Sequence, residues 1–127
     1  MSMDSELYKK GMSTRRSVLG EEHVDKAIKA TTDFDRDFQE YITSGAWGMV
    51  WDRPGLTKRE RSLITIALLS ALGHDEELKL HLKATRNTGA SVDDVKEVLL
   101  HTAVYAGVPV ANNAFKIAKE LFKDNDR

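Results

Sequence analysis

Residues 51–81 read WDRPGLTKRERSLITIALLSALGHDEELKLH, and the way this stretch divides decides the fold. Arg53-Pro54-Gly55-Leu56 reads as a turn, because proline fixes its own φ and glycine takes a positive φ without a Cβ clash. Thr57, with Glu60 three residues on, has the spacing of a capping box that opens a helix. From residue 63 to residue 72 the side chains are almost all apolar, and Gly73 then suits a C-cap. A helix apolar on nearly every side is expected to be surrounded by protein. It is too short for a membrane span, which needs about 20 apolar residues.

The helix that follows has a different character. His74, Glu77 and His81 recur at spacings of three and four, so they share one face, while Leu78, Leu80 and Leu82 hold the helix to its surroundings. Two imidazoles and a carboxylate beside a buried helix make the most chemically suggestive cluster in the chain, with Arg59 and Arg61 at the start of the preceding helix. Plainer readings stand beside this one. His81 fits a structural histidine, Glu77 fits a partner for a neighbour such as Arg61, and the two arginines fit a solvated helix start. Histidine and carboxylate also suit several divalent ions, but these residues span two turns and no metal is expected.

Working outward, residues 1–20 form a polar arm with a weak stripe of Leu7, Tyr8, Gly11 and Met12, ending at a break at Gly20. A helical pattern resumes at Glu21, and Phe34, Phe38, Tyr41 and Ile42 mark an amphipathic stripe. Trp47, Met49, Val50 and Trp51 follow. Tryptophan at such a place is either core packing or, for one indole, the wall of a ligand pocket. C-terminal to the central stretch, Gly89 closes one helix, Ser91 opens the next, and Asp93 and Asp94 in its first turn complement the helix dipole. Glu97, His101 and Tyr105 lie on one stripe of that helix, where His101 and Tyr105 fit either packing or a pocket lining. Pro109 suits the first turn of the last helix, which carries two adjacent apolar columns; residues 123–127 read as a frayed charged tail. No stretch alternates as a strand does. The expectation is an all-α fold of about six helices in one domain, residues 1–127.

Composition narrows the function. Nineteen Lys and Arg against twenty Asp and Glu give a net charge of -1, which leaves no electrostatic footprint for nucleic acid. There is no cysteine, which removes disulfides, thiolate ligands and thiol redox chemistry. Residues 1–10 lack the apolar core of a secretory signal, so a cytoplasmic protein without a membrane role is expected.

Several motifs together resemble the carboxymuconolactone decarboxylase family, in particular its γ-carboxymuconolactone decarboxylase branch. They are Trp51-Asp52-Arg53-Pro54-Gly55-Leu56, Arg59-Glu60-Arg61-Ser62-Leu63, Glu77-Leu78 with His81, and Tyr105-Ala106-Gly107-Val108-Pro109 followed by Ala111-Asn112-Asn113-Ala114. The resemblance implies an alkylhydroperoxidase-D-like helical fold assembled as a homo-oligomer, usually a hexamer built as a trimer of dimers. Another branch of the family uses Cys-x-x-Cys-x-x-x-His for thiol peroxidase chemistry. This chain has His74-x-x-Glu77-x-x-x-His81 at that spacing, so that route has no sulfur to run on.

The resemblance further implies loss of CO2 from a carboxylated unsaturated lactone in aromatic-acid breakdown (the protocatechuate or β-ketoadipate route), without metal or cofactor. It casts His81 as general acid/base, Glu77 as the group that tunes it, and Arg61 or Arg59 as the cation for a carboxylate or oxyanion. Trp51, His101 and Tyr105 are cast as pocket-lining residues. Two alternatives stay open at this stage: an enzyme of the same fold acting on another acidic substrate, and a non-catalytic oligomeric binding protein.

Overall fold

A computed structural model describes residues 5–123. The all-α expectation is borne out: these residues form eight α-helices, one π-helical segment and no strand. The helices are α1 (Glu6–Leu19), α2 (Glu21–Ala30), α3 (Arg36–Ile42), α4 (Lys58–Leu72), α5 (Asp75–Lys83), α6 (Thr85–Thr88), α7 (Val92–Ala106) and α8 (Val108–Phe122). The π-helical segment, Thr43–Trp51, continues α3. The count exceeds six partly because α6 is a single turn after α5. The first residues of the arm and most of the charged tail lie outside the described residues. Packing divides the chain into an N-terminal unit ending at Thr57 and a C-terminal unit starting at Lys58.

In the N-terminal unit the polar arm is a helix with a purpose. Ser5 caps α1 by accepting from the Tyr8 N–H at 3.0 Å. α1 then lies against the π-helical segment at a distance only glycine permits. A Cβ on Gly11 would stand 1.9 Å from the Thr43 carbonyl oxygen, and one on Gly48 would stand 2.7 Å from that of Leu7. Side-chain ties complete the contact. Thr14 Oγ1 donates to Asp52 at 3.1 Å, and the buried Arg15 guanidinium donates to Gln39 Oε1 and Thr43 Oγ1, both at 3.2 Å. Arg16 bridges to Glu21 and Asp25 of α2. The π-helical turn is closed by Asp52 N–H donating to the Trp47 carbonyl five residues back.

The C-terminal unit holds the larger core. Ile66 of α4, Leu78 and Leu82 of α5, Val95 and Leu99 of α7 and Ala114 and Ala118 of α8 form one buried cluster. Burying each of the larger side chains contributes roughly 1.5–3 kcal/mol. The alanines on α8 let its backbone come close to α5 and α7. Ser91 and Asp94 form a reciprocal capping box at the start of α7, with bonds of 2.9 Å each way.

One sequence expectation is corrected. α4 is not enclosed within the chain. Its buried face is Ser62, Ile66 and Ser70, at spacings of four, while Ile64, Leu68 and Leu72 are 48%, 56% and 66% exposed. Small serines allow the close approach, and the bulkier Ile64 and Leu68 fall beside an open groove between α4 and α7.

Candidate functional site

Each predicted site residue has a definite place. α5 carries Glu77 in its first turn and His81 in its last. His74 stands at the N-cap position, and its carbonyl accepts from the Leu78 N–H at 2.9 Å. The start of α5 is pinned to the second turn of α8 by Asn113 Nδ2 donating to Asp75 at 3.0 Å. His81 is buried, only 8% exposed, flanked in sequence by core residues Leu78 and Leu82. Glu77, one turn earlier, is exposed, and Arg61 at the start of α4 is half-buried.

Arg59 is already engaged. Its Nε and Nη2 donate to the two oxygens of Asp94 at 2.9 and 2.6 Å, a bidentate fork between the start of α4 and the start of α7. Asp94 thus caps α7 and clamps α4 at once. The sequence placed Asp94 only in a helix first turn, because its partner lies 35 residues away. The Arg59 fork, and after it the Ser91 backbone N–H, hold the Asp94 carboxyl well below its ordinary value of 3.8. Asp94 in turn raises the Arg59 guanidinium. A carboxyl depressed by folding stabilises the protein above its unfolded pKa, and that contribution is lost as pH falls through the folded value. Asp94→Asn is therefore expected to melt lower than the parent at pH 7. Circular-dichroism melts should show a constant gap down to about pH 5 and a narrowing gap below about pH 4. A gap that widens in acid would refute the linkage.

Trp51 belongs to the π-helical segment, where its ring stacks on that of buried Trp47 with centroids 4.9 Å apart. His101 and Tyr105 are both exposed on α7, one turn apart, with rings 5.0 Å between centroids. They open onto an apolar groove of about 380 Å³ between α4 and α7, whose floor includes Leu63, Ala67, Leu68 and Val98. Neither His81, Glu77, Arg59 nor Arg61 lines that groove. Among the described residues no cluster of three or more His, Asp or Glu side chains is placed to hold a metal ion.

An all-α chain with a buried imidazole on a helix free of cysteine defines a class that sequence comparison identifies. The chain belongs to the carboxymuconolactone decarboxylase family, whose sequence profile matches residues 36–120. Among its relatives, the 4-carboxymuconolactone decarboxylase of Acinetobacter baylyi is 49% identical over 121 residues, covering 95% of this chain and 90% of that protein. The nitrosuccinic acid decarboxylase npaB of Metarhizium robertsii is 39% identical over 118 residues, covering 93% of this chain and 82% of that protein. A 4-carboxymuconolactone decarboxylase of Pseudomonas putida is 44% identical over 45 residues, covering 35% of this chain and 94% of that sequence. The thiol peroxidase route of the wider family is closed here, because the chain has no cysteine.

Proposed function

We propose that this chain is a cofactor-independent decarboxylase that removes CO2 from a carboxylated, unsaturated lactone, with His81 as the acid that protonates carbon. The observation that carries this reading is the identity to 4-carboxymuconolactone decarboxylase across nearly the whole chain, and the nitrosuccinic acid enzyme is likewise named a decarboxylase.

The chemistry needs little from a protein. The leaving carboxylate sits on a carbon conjugated through a double bond to the lactone carbonyl. When the bond to the carboxylate breaks, its electron pair moves through the conjugated system onto the carbonyl oxygen, and CO2 departs. The resulting dienolate then takes a proton on carbon from His81, and solvent restores the imidazole proton. Glu77, one turn before His81, orients the ring. A guanidinium at the start of α4, Arg61 or Arg59, stabilises the developing oxyanion. Burial of the imidazole supports a site from which bulk water is kept away.

We further assign the chain to a homo-oligomer working in the cytoplasm. Ile64, Leu68 and Leu72 on α4, Leu100 and Val104 on α7 and Val108 at the start of α8 are all exposed, more apolar surface than a lone small domain usually leaves open. His101 and Tyr105 line the groove beside this face. No helix among the described residues is long and apolar enough to cross a membrane.

Purified protein should be incubated with 4-carboxymuconolactone and, separately, with nitrosuccinic acid, and CO2 release followed. Turnover of the lactone at kcat/KM of about 10⁴ M⁻¹s⁻¹ or more is the expected result. Preferential turnover of nitrosuccinic acid would move the reading to another acidic substrate. A thermal shift with the lactone but no CO2 would make the chain a binding protein.

A further inference from the structure

Helices α7 and α8 enclose a groove of about 550 Å³ on the C-terminal unit, within the roughly 300–1,000 Å³ of ordinary small-molecule sites. Its floor is apolar, made by Val95, Leu99, Phe115 and Phe122. Its rim carries Lys96, Lys116, Lys119 and Lys123, and no carboxylate is among the described residues that line it. Lys96 and Lys123 reach Asp93 and Glu120 on their own helices at 3.9 and 3.3 Å, but these are exposed pairs three residues apart, which contribute little. Lys116 and Lys119 make no ion pair with the described residues.

The charge is not spread evenly along the groove. The two helices meet at Gly107, so the start of α7 lies beside the end of α8, and Val92 shares the groove with Phe122 and Lys123. Lys96, Lys119 and Lys123 therefore gather toward that end. The other end, by Leu99 and Phe115, carries Lys116 and the neutral Asn112. The floor runs over positions 92–99 of α7 and 115–122 of α8, roughly 10 Å along each helix. A ligand that answers both features has an extended apolar body and one anionic end. A neutral apolar molecule would leave the ammonium groups without a counter-charge, and a compact inorganic anion would leave the floor in water.

We propose that the α7–α8 groove binds an amphiphilic anion, a medium-length acyl chain that ends in a carboxylate or phosphate head. The chain lies along Leu99, Phe115 and Phe122, and the head meets Lys96, Lys119 and Lys123. Lysine suits such a rim, because its methylene stem extends the apolar wall while its ammonium, a mobile point charge, meets either head group without a fixed geometry. The inference goes beyond the decarboxylase reading and does not rest on it, since neither His81, Glu77, Arg59 nor Arg61 lines this groove. Val95, Leu99 and Ala118 belong at once to the groove and to the buried cluster of the C-terminal unit, so a bound chain adds contacts to that core and stabilises the folded protein.

The test is isothermal titration of the full chain with dodecanoate and with dodecyl phosphate, each kept below its micellar concentration. Dodecanol and dodecyltrimethylammonium serve as the neutral and cationic comparisons. At least one of the two anions is expected to bind saturably, one equivalent per chain, and to raise the melting temperature. A preference between them identifies the head group. Dodecanol should bind at least about tenfold more weakly, and the cation more weakly still. Lys96→Glu with Lys119→Glu reverses two rim charges and should weaken the anion at least about tenfold. Val92→Asp sets a carboxylate at the head-group end, at an exposed position where an acidic residue suits a helix start, and should act in the same direction. Circular dichroism should show both variants keeping their helicity. Failure of both anions to bind saturably overturns the proposal. So does equal affinity for dodecanol or the cation, and so does unchanged affinity in either folded variant. Turnover of 4-carboxymuconolactone measured on the same preparations reports on the catalytic reading independently.

Discussion

Replacing His81 with glutamine is expected to lower kcat for the carboxylated lactone by about 10²–10⁴-fold, the range for removing a positioned acid or base. Glutamine is chosen because His81 is buried beside Leu78 and Leu82 on α5, and alanine there would add a cavity to the chemical loss. With most of the volume kept and a polar tip retained, the melting temperature should stay within a few degrees of the parent. KM should change far less than kcat, since the imidazole acts on the step in which carbon is protonated and not on the carboxylate that anchors the substrate. The deficit should vanish from neither side of the pH profile, because glutamine does not titrate. A folded His81→Gln protein with full turnover would remove the imidazole from the mechanism.

Gly11→Ala is expected to disrupt the N-terminal unit. The added methyl would sit 1.9 Å from the Thr43 carbonyl oxygen and 2.9 Å from the Gly48 nitrogen, both backbone atoms that cannot rotate aside. Alanine gains up to about 1 kcal/mol of helix propensity over glycine. Overpacking of this kind costs about 1–3 kcal/mol and more when the obstacle is backbone. The net expectation is a destabilised contact, with α1 forced away from the π-helical segment. Hydrogen exchange should accelerate in α1 and in residues 43–52, while α5 and α7 keep their protection. Gly48→Ala should act in the same direction, through the Leu7 carbonyl oxygen at 2.7 Å. An unperturbed exchange pattern in Gly11→Ala would mean that α1 does not lie on that segment.

What the two substitutions probe was legible to different degrees. The helix bearing His81 follows from local rules: the glycine before it, three acidic residues in its first turn and leucines at helical spacing all act within a few residues. The same holds for Ser91 opening α7 and Gly89 closing α6, where φ is +88°. The arm was read as a weak helix because its stripe includes Gly11, which costs helix stability on propensity alone. Its value lies in an approach to residues 43 and 48, which no local pattern encodes.

The chain's residues by themselves therefore determined its helices, their caps, the absence of any thiol chemistry and the motifs that place it in its family. Tertiary structure alone decided that Ser62, Ile66 and Ser70 are the buried face of α4, that Arg59 is spent on Asp94, and that Phe34 stands bare. The reason is one of range. Capping and periodicity act over about four residues and are written in sequence order. Which face is covered, and which charge meets which, depends on helices brought together from well beyond that range, 35 residues in the case of Arg59 and Asp94, and only the packed chain makes that choice.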